Sequence, residues 1–452
     1  MFKRVLVANR GEVAVRVIRA LHESDVEAVA VYSTADADAL HVRLADRAVC
    51  IGPPQATASY LRIPSLVAAA TTTGCEAVHP GWGFLAESPA FVEACADNDL
   101  IFIGPSAETM ARMGDKVQAK AEMRAADVPV VPGTEGATTL EEARGAAQEA
   151  GYPVLLKATA GGGGKGMRLV TGPHELERAF DTAAMEAEAA FGNGSLYLEK
   201  AVSPARHVEI QVLADGEGGV LTLGERECSI QRRHQKLIEE SPSPALSPDT
   251  REEIEASAER ACERIGYRNA GTFEFLLGPG GSFYFIELNA RLQVEHPVSE
   301  LVTGIDIVRE QLRIASGERL ARTGRAERRG HAIEIRLNAE DPSRDFAPMP
   351  GPITRFRPPF GPGVRLDTYV EEGTVVTPHY DSLLGKLIVW DESRPEATAR
   401  ALRALGELQL EGIPTTRELA IDILRSEGFA SGRYSTDYLS EAAAALPALA
   451  AR

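Results

Sequence analysis

The chain has 452 residues, enough for roughly two to four domains with a sizeable core. Its 44% hydrophobic and 25% charged content is that of an ordinary globular protein. A net charge of -17 argues against general affinity for nucleic acid or an anionic membrane, so any anionic ligand must be held by a local basic pocket. Along the chain, Val5-Leu6-Val7-Ala8 reads as a buried strand, Val13 to His22 as a helix and Ala28 to Tyr32 as a second strand. Further strands are expected at Ala77-Val78 and Ile101 to Ile103. Strands alternating with helices over residues 1–114 predict a doubly wound parallel-sheet domain. The turn Asn9-Arg10-Gly11-Glu12 lacks G-x-G-x-x-G, so a dinucleotide site is not supported. His79-Pro80-Gly81-Trp82-Gly83-Phe84 forms a loop at a strand end, where α/β folds often bind ligands, although a tight turn explains it equally.

Residues 115–330 change to an α+β pattern, with a separate lobe over about 131–203. Val154 to Ala160 leads as a strand into Gly161-Gly162-Gly163-Gly164-Lys165-Gly166, and a second strand follows from Met167. A loop that only turns needs one or two glycines. Four in succession suit a backbone that closes over phosphates and offers them N–H groups. It is not a Walker A loop, because Thr159 and Gly166 occupy positions where that motif needs Gly and Ser or Thr. Lys157 stands where it can reach a phosphate. Glu199-Lys200-Ala201-Val202 ends another apolar strand and can wall a nucleotide base.

Three segments alternate polar and apolar residues: His207, Glu209 and Gln211; Glu334, Arg336 and Asn338; and Glu287, Asn289, Arg291, Gln293 and Glu295. In an extended chain each polar set shares one face. Solvent faces of strands favour Thr and Lys, and the Glu287–Glu295 face has neither. Three such strands predict a shared polar interior. Glu225 to Lys236 concentrates basic and amide groups in an acidic chain, with Cys228 read as a packed residue. Glu274 and Glu287 are expected on adjacent strands of a hairpin turning at Gly278-Pro279-Gly280-Gly281. Paired carboxylates repel unless a cation lies between them, and oxygen ligands favour Mg²⁺ or Mn²⁺. Seven prolines between 341 and 363 predict a wandering loop. After it come a strand near Leu387 to Trp390, helices, and an Ala-rich tail from Glu441 expected as a terminal helix. The five cysteines, at least 20 residues apart, form no metal-type pair and no small disulfide framework. With no apolar run of about 18 residues and no signal-peptide pattern, a cytoplasmic protein without a membrane span is expected.

Taken together, the chain resembles the biotin carboxylases, the ATP-grasp components of acetyl-CoA carboxylase and related enzymes. The resemblance runs over essentially the whole length. Its carriers are V-L-V-A-N-R-G-E, H-P-G-W-G-F-L-A-E-S, M-G-D-K, K-A-T-A-G-G-G-G-K-G-M-R, R-H-V-E-I-Q-V-L-A-D-G, E-C-S-I-Q-R-R-H-Q-K, F-I-E-L-N-A-R-L-Q-V-E-H-P-V-S-E and Y-D-S-L-L-G-K-L-I. Ala160 and Lys165 depart slightly from the family's glycine loop. The resemblance implies an N-terminal α/β domain (1–114), an ATP-grasp body with a mobile lid (115–330) and a C-terminal α+β domain (331–452).

It also implies ATP- and bicarbonate-dependent carboxylation of biotin. Lys116, Lys157 and the loop Gly161, Gly162, Gly163, Gly164 and Gly166 would hold ATP phosphates. Glu199, Lys200, Val202, His207, Gln231 and His234 would line the nucleotide site. Glu274, Glu287 and Asn289 would bind Mg²⁺, and Arg291, Gln293 and the Val294 backbone would grip bicarbonate. Glu295 would be the base, Lys236 would lie near the reacting centre and Arg336 would stabilise the biotin enolate. No A-M-K-M biotinylation motif occurs, so the carrier would be a separate protein or segment. The implied partners are that biotin carboxyl carrier protein, a carboxyltransferase and a second copy of the chain. Alternatives are the same half-reaction for pyruvate, propionyl-CoA or another acyl-CoA, a carbamoyl-phosphate or peptide-forming ligase, and a non-enzymatic nucleotide sensor.

Overall fold

A computed structural model describes residues 1–159 and 167–450. The N-terminal sheet contains β1 (Arg4–Val7), β2 (Glu27–Ser33), β3 (Arg47–Gly52), β4 (Ala77–His79) and β5 (Ile101–Phe102). All pairs are parallel, in the order β3-β2-β1-β4-β5. Val5, Leu6 and Val7 are fully buried, as a strand covered by helices on both faces must be. A three-stranded lobe follows: β6 (Val154–Ala158), β7 (Met167–Val170) and β8 (Leu196–Lys200), in the order β7-β6-β8. The Leu140–Ala150 and Leu176–Phe191 helices pack on it. At the base of this lobe, a Cβ on Gly133 would fall 2.0 Å from the Leu198 carbonyl oxygen, so only glycine allows the connecting chain to approach β8.

The large sheet starts with β9 (Arg206–Asp215), β10 (Val220–Arg232), β11 (Gln235–Ser241), β12 (Arg268–Leu277) and β13 (Phe283–Asn289). It continues with β14 (Gly324–Arg325) and β15 (His331–Asn338). Four short strands come next: β16 (Glu340–Asp341), β17 (Ala347–Pro348), β18 (Gly351–Pro352) and β19 (Arg355–Arg357). The last strands are β20 (Val364–Thr368), β21 (Val375–Val376), β22 (Leu383–Asp391) and β23 (Gln409–Glu411). The order is β13-β12-β9-β10-β11-β15-β22-β20, with β14 beside β10.

The two faces of this sheet differ because alternate residues point opposite ways. On one face Val208, Ile210, Val212, Phe273 and Phe275 pack on the Pro248–Ile265 helix. Further along that face, Ile333, Ile335 and Leu337 pack on the Arg394–Glu407 and Arg417–Arg425 helices. The other face carries Glu209, Gln211, Arg226, Glu274, Glu334 and Arg336 under the His296–Thr303 helix. The polar-faced strands therefore do share an interior.

Three expectations need correction. The Glu287–Glu295 run is not one strand: β13 ends at Asn289, and Arg291 to Glu295 form a loop leading into the His296–Thr303 helix. Leu292 and Val294 are buried in that loop because the neighbouring layers close over it, not because a sheet face does. The proline-rich segment is not simply a wandering loop, since β16 pairs with β17, β18 with β21 and β19 with β23. The Ala-rich tail is not a continued helix. The Tyr438–Glu441 helix stops, and the chain then makes 3₁₀ turns. Pro447 lacks the N–H a helix needs, Leu446 is buried, and the Ala448 N–H donates to Asp422 Oδ2 at 2.8 Å.

Arg226 is wholly buried and ties the large sheet together. It donates to Glu209 at 2.5 Å, Gln211 at 2.7 Å, Thr272 at 3.0 Å and Ser299 at 3.1 Å. Arg226→Met should lower stability by roughly 3–5 kcal/mol, because it strips a buried carboxylate of a partner. Urea unfolding monitored by circular dichroism will show it.

Candidate active site

The polar face of the large sheet, the lobe and the N-terminal domain enclose a cleft of about 580 Å³. Residues from every layer converge there because β9, β11, β12 and β15 present consecutive polar positions. In β12 and β13, Glu274 and Glu287 face each other in register, as the hairpin expectation required. Glu274 accepts from Asn289 Nδ2 at 2.8 Å and Gln293 Nε2 at 3.3 Å, and its other oxygen lies 2.9 Å from His207 Nε2. Burial opposes ionisation of Glu274, but Lys236 and His207 outweigh it and hold its carboxyl well below the usual range. Glu287 is pushed up, by burial and then by the Glu274 charge. Among the described residues it makes no hydrogen bond or ion pair. Two facing carboxylates, one of them unpartnered, with an amide oxygen at Asn289 fit a small divalent cation with oxygen ligands.

The Lys236 ammonium forms the centre of the site. It donates to Glu295 at 2.5 Å, Glu209 at 2.6 Å and Glu274 at 2.9 Å. Burial would lower its pKa, and the acidic groups around it, Cys228 and then the three carboxylates, more than reverse that, so it stays charged. Glu295 also accepts from Arg336 at 2.9 Å, and Arg336 donates to Glu239 at 2.6 Å. Burial would raise the Glu295 carboxyl, but Lys236, Arg336 and Arg226 hold it well below the usual value. Arg291 donates to Glu87 and Asn289 at 2.9 Å and to Gln293 at 3.0 Å.

Toward the lobe, Lys157 and Lys120 both pair with Glu199, and Lys116 lines the same wall. Val131, Leu155, Met167, Tyr197, Leu276 and Ile286 supply an apolar slot. His234 sits at the tip of the two-residue β10–β11 turn with φ of 66°. Its imidazole is held neutral by burial, then by the His207 and Lys157 charges.

The cleft gathers Lys116, Lys157, Glu199, Val202, His207, Gln231, His234, Lys236, Glu274, Glu287, Asn289, Arg291, Gln293, Val294, Glu295 and Arg336. The Lys200 side chain is not among them. Its Nζ donates to the Gly151 and Tyr152 carbonyls at 2.8 and 3.1 Å, because strand alternation turns it away from Glu199. Ala160, Gly161, Gly162, Gly163, Gly164, Lys165 and Gly166 lie outside the described residues. Cys228 is fully buried, and burial drives its thiol far upward, as a packed residue requires. Sequence reasoning missed Lys120, Glu87, Arg226 and Glu239. Lys120 had a usable signal, four residues after Lys116 and so on the same helix face. Glu87 and Glu239 had none, since only tertiary packing brings them to Arg291 and Arg336.

Residues 115–323 match the family model described as "Carbamoyl-phosphate synthase L chain, ATP binding domain", which makes the class an ATP-grasp, ATP-dependent ligase. Residues 1–110 match "Biotin carboxylase, N-terminal domain" and residues 334–441 match "Biotin carboxylase C-terminal domain". The chain is 52% identical to a biotin carboxylase of Nostoc sp., covering 97% of this chain and 99% of that protein. It is 50% identical to a pyruvate carboxylase subunit of Methanothermobacter thermautotrophicus, covering 98% and 90% respectively. The biotin carboxylase domain dimer of Hydrogenobacter thermophilus 2-oxoglutarate carboxylase, solved with MgADP, ADP and bicarbonate, superposes with a TM-score of 0.93. That structure shares 46% identity over 99% of both chains. The chain therefore belongs to the biotin carboxylase family. Among the described residues, no helix is long and apolar enough to cross a membrane.

Glu239 gives the site a pH signature. Its carboxyl is pushed up to about 7 from 4.5, chiefly by burial, with Glu295 adding and Arg336 opposing. A carboxyl raised on folding binds its proton more tightly in the native state. Its stabilisation is therefore full below about pH 4.5 and lost as pH rises through about 7. Between pH 4.5 and 7.5 the stability of Glu239→Gln relative to the parent should rise by up to roughly 3 kcal/mol, measured by urea unfolding across that range.

Proposed function

We propose that the chain carboxylates the biotin of a separate biotin carboxyl carrier protein, using ATP, Mg²⁺ and bicarbonate. In this reading it performs the first half-reaction of acetyl-CoA carboxylase in fatty acid synthesis. The observation that carries the chemistry is the convergence of Glu295, Lys236 and Arg336 beside Arg291 and Gln293. Lys116 and Lys157 hold the phosphates, and the apolar slot takes the purine between Glu199, Val202, Gln231 and His234. Glu274, Glu287 and Asn289 hold Mg²⁺, which when bound offsets charge on the phosphates. Arg291, Gln293 and the Val294 backbone grip bicarbonate, a poor nucleophile, and Glu295 takes its proton. Glu295 is too strongly stabilised by Lys236 and Arg336 to be an effective base as it stands. Incoming anions that draw those cations toward themselves raise its basicity.

The bicarbonate oxygen then attacks the γ-phosphorus and ADP leaves, giving carboxyphosphate. Lysines facing the transferred group stabilise the developing charge, and closure of the lobe excludes water that would hydrolyse the intermediate. Carboxyphosphate breaks down to CO₂ and phosphate, the phosphate removes the biotin N1′ proton, and N1′ attacks CO₂. Arg336 suits the enolate because it remains charged and does not protonate it. A carboxyltransferase then passes the carboxyl group on, with the chain working as a homodimer in the cytoplasm.

A second reading, in which the acceptor is a 2-oxo acid, is favoured by the likeness to pyruvate and 2-oxoglutarate carboxylase components. Identifying the copurifying carboxyltransferase separates the two. ADP release with ATP, Mg²⁺ and bicarbonate should be stimulated by free biotin, and absence of stimulation would sink the reading. Glu295→Ala should slow the biotin-dependent rate by about 10²–10⁴-fold. Arg291→Ala should raise the bicarbonate KM well above its effect on the ATP KM.

A further inference from the structure

The segment Tyr380-Asp381-Ser382-Leu383-Leu384-Gly385-Lys386 has no part in the chemistry above, yet its lysine is wholly buried. Lys386 lies on β22, on the polar face of the large sheet, next to Arg336 in register. Its Nζ is 3.0 Å from Glu12 Oε1, in the first turn of the Gly11–His22 helix, and 4.0 Å from Asp367 Oδ2. Asp367 is held by Arg365, and among the described residues the Lys386–Glu12 contact is an ion pair whose angles fall short of a directed hydrogen bond. The one directed N–H goes to the Val294 carbonyl at 2.7 Å. A buried lysine that lies among acids thus directs one of its three N–H groups to the backbone of the site loop.

That loop needs an external anchor. β13 ends at Asn289, so residues 290–295 have no strand ladder. Ala290 N–H is held by Glu87, and the Gln293 carbonyl lies 2.7 Å from His296 Nδ1. The Val294 carbonyl and the Glu295 N–H belong to one planar peptide unit. Fixing that oxygen places the Glu295 Cα, and with φ of -82° where the chain enters the His296–Thr303 helix it sets the direction in which the Glu295 side chain leaves the loop. Replacing a buried ion pair by apolar groups of similar volume is often neutral or stabilising, so stability alone gives little reason to bury this lysine.

We propose that Lys386 is a positioning residue that clamps the Val294–Glu295 peptide to the rigid β22 strand and so sets the geometry of the bicarbonate loop. The proposal rests on the reading of Arg291, Gln293 and Glu295 as the bicarbonate site. The test compares Lys386→Met with the double variant Lys386→Met/Glu12→Gln, which removes both buried charges and keeps the volume. If Lys386→Met alone folds poorly, the double variant carries the test. Thermal unfolding and the KM values for bicarbonate and ATP are measured in biotin-dependent ADP release. The expected result is a double variant with near-parental thermal midpoint and ATP KM but a bicarbonate KM raised about tenfold or more. A parental bicarbonate KM in the double variant overturns the proposal, as does an equal rise in both KM values or loss of folding in both variants. Arg291→Ala serves as the control. If its bicarbonate KM is unmoved, the site reading itself fails. If it rises while the double variant stays parental, only the Lys386 clamp fails.

Discussion

Everything in the cleft depends on one buried ammonium held among three carboxylates. Without Lys236, Glu209, Glu274 and Glu295 would stand as like charges in a poorly solvated space and would have to take up protons or move apart. With it, Glu274 and Glu295 remain ionised while belonging to different elements, β12 and the loop before the His296–Thr303 helix. Lys236 comes from β11, so one side chain joins β9, β12 and the loop that carries Glu295. Such a cluster adds little net stability, because desolvation of the four groups opposes their attraction. What it provides is a fixed arrangement of charge into which anions can enter and compete for the same cations.

The sheet makes that arrangement possible by having two unlike faces. Its apolar face packs against the Pro248–Ile265, Arg394–Glu407 and Arg417–Arg425 helices and supplies the hydrophobic burial. The opposite face is thereby free to carry acidic and basic groups that meet across the strands: Glu209 accepts from Arg226 on β10 and Lys236 on β11, and Glu239 accepts from Arg336 on β15. The pairing crosses from the ATP-binding region into the C-terminal region through β11 and β15, which are hydrogen-bonded neighbours. The cleft is consequently shared between regions that match separate family models, and its residues are spread over some 250 positions of sequence from Glu87 to Arg336.

Much of this was legible in the chain itself. The period-two alternation at His207–Gln211 and Glu334–Asn338 marked strands with a polar face, and composition marked those faces as interior. The hairpin joining Glu274 to Glu287 followed from apolar runs flanking Gly278–Gly281, and the structure sets the two carboxylates opposite each other across it. The run from Glu287 to Glu295 shows the limit of that pattern. A period of two says which residues point the same way only while the chain stays extended. It says nothing of where pairing stops: β13 leaves β12 at Asn289, opposite Thr272, although β12 itself runs on to Arg268 beside β9. Lys200 turns its side chain away from the side that carries Glu199, since adjacent strand residues face opposite sides.

Local sequence thus determined the elements, their polar and apolar faces and the residue types available for chemistry, since these follow from backbone periodicity and side-chain character. Tertiary structure alone decided which charges meet. Glu87 reaches Arg291 across 204 positions, Lys386 reaches the Val294 carbonyl across 92, and Arg336 reaches Glu239 across 97. Electrostatic partners in a desolvated interior are chosen by distance and direction in space, and no local pattern of residues encodes either.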